Sequence, residues 1–171
     1  MVTDRKTDFE SYAKRAFAAV LETKDYERIY EAAAAEDPRL KDVLPTTFGE
    51  EYLCARLALG VYAWMAACRE HGIEDTVLQK TFLKVVMEAF HSEKFLKLAE
   101  IFSQYLYSSD ESIPALPRMA AHMHSRLKIA SSVSKSELSG SFKIVAAALE
   151  GFKVSFENYF FDFLNSVSGG G

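Results

Sequence analysis

The chain is poor in the residues that staple or interrupt a backbone. It has only two cysteines, Cys54 and Cys68, 14 residues apart. If both lie on one helix, as the pattern below implies, about 21 Å of rise separates them at ~1.5 Å per residue. A disulfide needs Cα atoms within about 7 Å, so none joins this pair. Proline occurs four times and glycine eight, three of the glycines in the tail Gly169 to Gly171, which excludes collagen-like and low-complexity chains. No apolar run reaches the ~20 residues of a membrane-spanning helix. The nearest, Tyr52 to Cys68, is 17 residues long and contains Arg56. The opening Met1 to Lys6 leads into polar helix with neither an apolar run nor a small-residue cleavage site, so no secretory signal is expected. Two unpaired thiols and no signal give a cytoplasmic expectation. Strand-like alternation, internal repeats, phosphate loops, nucleophile elbows and dinucleotide fingerprints are all missing.

What is present favours helix. Ala and Leu contribute 38 of 171 residues against 24 for Val, Ile and Thr, with 49% hydrophobic and 26% charged residues overall. The expected fold is all-α: one domain over residues 1–168, a bundle of six to seven helices, then a flexible glycine tail at 169–171. The first helix carries one stripe, Phe9, Tyr12, Ala13, Ala16, Phe17, Val20 and Leu21, behind a Thr7 and Glu10 capping box. A second begins at Asp25, followed by a turn opened by Pro38 and closed by Pro45. Thr47 and Glu50 supply a second capping box, starting a helix that ends before Gly72 and is apolar nearly all round; Gly60 would let a neighbour come close. A fourth stripe from Thr76 loses phase near His91 and restarts after Ser92. Pro117 suits the first position of a fifth helix. The last, Glu137 to Ser166, has a heptad seam, Leu138, Phe142, Val145, Leu149, Phe152, Phe156, Tyr159 and Phe163.

Candidate sites are few. From Ser112 through Ser136 the chain has Arg118, Arg126, Lys128, Lys135, His122 and His124 but no acid. Arg118, His122 and Arg126 recur at i, i+4 and i+8, so they share one helix face able to hold an anion or an acidic partner, or to dock on an acidic helix of the same chain. Glu88 and His91 match the Glu-x-x-His spacing of bundle metal sites, but only once, and Glu88 shares a face with Lys80 and Lys84; they are weak metal candidates. His122 and His124 point about 200° apart on a helix and do not share an ion. Cys68 and His71 share a face, yet cysteines on an apolar helix are ordinarily inert. Phe160 and Phe161 fall outside the heptad seam, which points to contact with a second copy of the chain, unless the first and third helices cover them.

These residues suggest a helical binding or regulatory module that acts on a protein partner or by forming a homodimer, without chemistry of its own. The alternatives are a bundle enclosing a lipid or haem-like molecule in a Phe-rich core, and a metal enzyme using Glu88 and His91. No cofactor is identified. With a net charge of −4 and a pI near 5.6, nucleic acid is not an expected partner.

Overall fold

The computed structural model describes residues 5–107, 114–127 and 140–168. Among them the chain forms eight α-helices and no strand, so the fold is an all-α bundle. The helices are α1 (Arg5–Glu22), α2 (Tyr26–Glu36), α3 (Pro45–Glu70), α4 (Thr76–Gln79), α5 (Thr81–Phe90), α6 (Leu96–Leu106), α7 (Ala115–Arg126) and α8 (Gly140–Ser168). Short 3₁₀ turns occupy Pro38–Asp42 and Glu93–Phe95. The count exceeds the expected six to seven because the stripe from Thr76 breaks at Lys80. There Trp64 Nε1 donates to the Leu78 carbonyl at 2.9 Å, and Thr81 Oγ1 donates to the Val77 carbonyl at 3.0 Å.

Helix α3 is the axis of the bundle and touches α1, α2, α4, α5, α6, α7 and α8. Its apolar circumference explains this: from Tyr52 to Trp64 only Leu53 and Tyr62 escape full burial. Pro45 does not close the preceding turn but opens α3, where its missing N–H leaves no helical bond unmade. Thr47 and Glu50 therefore lie inside the helix, in its first and second turns, rather than capping it, and Glu50 pairs with Lys97 at 2.9 Å. Similarly α1 is already helical at Arg5, so Thr7 is not a cap, and Pro117 sits inside α7, which starts at Ala115. At the other end of α3, Gly72 adopts φ +66°, its N–H bonds the Arg69 carbonyl, and the Ile73 N–H bonds the Cys68 carbonyl at 2.9 Å. This double closure ends the helix and needs glycine at the left-handed position. Gly60 is used as expected: a Cβ there would stand 2.9 Å from Cε1 of Phe82.

The core between α1, α3 and α8 is packed ring against ring. Trp64 stacks on Phe160 at 3.9 Å and on Phe82 at 5.8 Å, while Tyr12 stacks on Phe163 at 4.1 Å. Each such pair contributes roughly 0.5–1.5 kcal/mol beyond the area it buries. Phe160 is therefore not an outward residue: it is 0 % exposed, and Phe161 is half-buried against the His71 ring at 5.0 Å. The expected oligomer contact is corrected at Phe160 to an internal one, formed with rings of the first and third helices, while Phe161 keeps part of its surface open. The heptad seam fails for a related reason. Buried positions on α8 run Ser141, Val145, Leu149, Phe156, Phe160 and Leu164, while Tyr159 is 52 % exposed. A heptad repeat suits one constant neighbour. Helix α8 instead packs on α2, α3 and α7 and then sets its last turns of aromatic rings against Tyr12 and Phe9 of α1. Leu138, Lys128, Lys135 and the glycine tail lie outside the described residues.

Candidate functional site

The basic face of α7 turns inward on the molecule itself. Arg126 donates Nε to Glu51 Oε2 at 2.7 Å and Nη2 to Glu51 Oε1 at 2.8 Å, a two-pronged pair. Tyr105 OH donates to the same Glu51 Oε2 at 2.7 Å, and Arg126 Nη1 also reaches Gln104 Oε1. Burial and then the Glu51 charge push the Tyr105 hydroxyl up, and Glu51 in turn holds Arg126 above its usual range. His122 packs edge-on against Tyr105, with ring centroids 4.9 Å apart, and its buried Nε2 has no hydrogen-bond partner. Burial lowers its pKa, assisted by Arg126. Arg118 lies over the Tyr62 ring at 5.6 Å. So the three residues do share a neighbourhood, but Arg126 is committed to an acid of α3, the intrachain docking that the sequence left open. The acid, Glu51, was not singled out from the sequence; an acid opening the one all-apolar helix was the available signal.

One arrangement resembles a catalytic dyad. His124 Nε2 lies 3.2 Å from Ser141 Oγ, and its Nδ1 lies 3.0 Å from the Ala120 carbonyl, which is the order nucleophile, base and orienting group. Yet Ser141 is 0 % and His124 8 % exposed, so the pair lies inside the fold. The contact ties α7 to the first turn of α8. Burial also governs the thiols: it raises Cys54 strongly and Cys68 to about 12, the opposite of an activated nucleophile. Glu88 pairs with Lys84 on an exposed face, and His91 is exposed at the end of α5. Among the described residues no group of three or more His, Cys, Asp or Glu side chains is placed to share a metal ion.

The feature with unfinished chemistry is Arg56. It is the lone charge of the apolar stretch of α3 and is only 3 % exposed. Its Nη2 donates to the Thr23 carbonyl at 3.3 Å, its Nη1 stands 3.5 Å from Asp25 Oδ1, and its buried Nε has no partner. The rings of Tyr52 and Phe152 flank the guanidinium at 4.7 and 5.8 Å. Burial pulls its pKa down, the mark of a cation short of compensation. Arg56 lines a cavity of about 740 Å³ between α2 and α8. Asp25, Arg28, Ile29 and Ala32 form one side, and Ile144, Ala147, Ala148, Gly151, Phe152 and Ser155 of α8 the other. Gly151 borders its open side, where a Cβ would meet no atom within 4 Å.

No known family, curated protein or solved structure matches this chain. The groove must therefore be judged on its own chemistry. In the sequence Arg56 registered only as an interruption of an apolar run. A single charge in a helix buried on all sides was nevertheless the legible signal, since such a charge is costly unless something pairs with it.

Proposed function

We propose that this protein is a binding module with no chemistry of its own, and that the groove between α2 and α8 over Arg56 holds its ligand. One observation carries the reading: a guanidinium withdrawn from water, with incomplete hydrogen bonding, faces an apolar cavity large enough for a small molecule. Small-molecule sites typically occupy about 300–1,000 Å³, with mostly apolar walls and a few placed polar groups. Of the two kinds of binding suggested by the sequence, this favours an apolar ligand over a protein partner. Twelve residues line the groove, whereas a stable protein interface uses roughly 20–30 on each side. The place differs from the Phe-rich core first expected, where the rings fill the space between α1, α3 and α8. A cytoplasmic setting accompanies the reading, supported by two free, buried cysteines; no helix among the described residues is long and apolar enough to cross a membrane.

The test uses 1-anilinonaphthalene-8-sulfonate, an apolar anion that fluoresces when it leaves water. The wild-type protein is expected to bind one equivalent, and Gly151→Leu, whose Cβ meets open space at the groove, is expected to abolish the signal. Equal fluorescence from both proteins would refute the groove as the binding surface.

A further inference from the structure

We infer that the ligand of this groove carries a single carboxylate on an aliphatic body, with the carboxylate seated on the Arg56 guanidinium. The inference rests on reading the groove as the binding surface and adds the ligand's chemical class. Its first support is geometric. Hydrogen bonds from a guanidinium to a carboxylate normally span about 2.7–2.9 Å and come in parallel pairs. Arg56 has one carbonyl at 3.3 Å and one carboxylate oxygen at 3.5 Å, neither of them two-pronged, plus an Nε without a partner. By contrast, Arg126 holds Glu51 through two prongs at 2.7 and 2.8 Å, which is how this same chain completes an arginine elsewhere. A planar carboxylate entering the groove supplies a fork for the two Nη groups, whose present contacts are the long ones, the Nε being buried behind them.

The second support is charge. Arg28 and Arg56 line the groove together with a single acid, Asp25, an excess of one positive charge, with Arg56 beside Asp25 and Arg28 exposed. A monoanion balances that excess. A phosphate dianion would overshoot and stand against Asp25, whose Oδ1 is buried and has no hydrogen bond of its own. The third support is the wall. Ile29, Ala32, Ile144, Ala147, Ala148 and Phe152 present no side-chain donor or acceptor, against the two hydroxyls of Thr23 and Ser155, so most of the ligand gains by being hydrocarbon.

Calorimetric titration with decanoate, decan-1-ol and decyl phosphate, each below its micelle limit, separates the terms. Decanoate is expected to bind wild-type protein one to one and at least tenfold tighter than either of the others. Arg56→Met is expected to erase that tenfold preference while leaving decanol affinity in place. Where the Met variant does not fold, Arg56→Lys replaces it, with the preference reduced because an ammonium lacks the planar fork. Gly151→Leu is expected to weaken all three ligands. Equal binding of decanol and decanoate, tighter binding of decyl phosphate, or a preference that survives loss of the guanidinium would overturn the carboxylate; the groove itself would stand if Gly151→Leu still weakened binding. No binding by any probe, or indifference to Gly151→Leu, would overturn the groove and the inference together.

Discussion

Replacing Glu51 with alanine should be among the most damaging single changes in the molecule that leave every ring stack intact. Its carboxylate accepts from Arg126 through two nitrogens and from the Tyr105 hydroxyl, with the Glu51 and Arg126 side chains 6 % and 22 % exposed. Removing one partner of a buried pair costs about 3–5 kcal/mol, because the charge left behind keeps its desolvation penalty. At about 2–4 °C per kcal/mol for a chain of this length, Tm should fall by roughly 6–20 °C. Thermal melts followed by circular dichroism and urea titrations read this directly. The mechanism makes a second demand: Glu51→Leu with Tyr105→Phe and Arg126→Met removes every orphaned group and should recover to within about 2 kcal/mol of wild type. If Glu51→Ala melts within about 2 °C of wild type, or the triple variant is worse than the single one, the network does not hold α7 to α3 as argued.

Acid should destabilise the fold from near neutrality. Burial lowers the folded-state pKa of His122 and His124 below 6.5, so stability is complete above that value and falls with pH as the unfolded chain takes up protons first; urea unfolding from pH 8 to 5 should show the slope, and His122→Phe with His124→Gln should flatten it. Two helical glycines should respond to alanine with opposite signs. Gly60→Ala drives a Cβ to 2.9 Å from Phe82 and should cost about 1–3 kcal/mol, whereas Gly151→Ala meets open space and should gain about 0.5–1 kcal/mol of helix propensity; equal signs in melts would contradict the packing. Phe160→Glu should unfold the protein rather than dissociate a dimer, since its ring stacks on Trp64 at 3.9 Å; light scattering of a still-folded variant with changed mass would restore Phe160 to an interface.

The sequence revealed the bundle through the stripes of α1 and α6, the all-round apolar character of α3, the stop at Gly72 and the close approach at Gly60, because periodicity and backbone conformation are local properties. It misplaced the start of α3, where the Thr47 cap signal competed with Pro45, and of α7, where Pro117 was taken for the first position although the helix opens at Ala115 after Pro114. The α8 seam misled because a heptad assumes an unchanging neighbour. The site was less legible still. Pairing of Arg126 with Glu51, 75 residues away, depends on how α7 lies across α3, and no spacing encodes that. Arg56 could be recognised as costly from its surroundings, but the groove beside it exists only once α2 and α8 are in place.

The most direct measurement is side-chain NMR of the arginine Nε–H groups, assigned by substitution, during addition of decanoate. The account predicts a large, saturable shift of Arg56 Nε, with slower exchange of its proton, while Arg126 Nε, already bonded to Glu51, keeps its position. An unmoved Arg56 resonance at saturating decanoate, or a shift confined to Arg126, would contradict it.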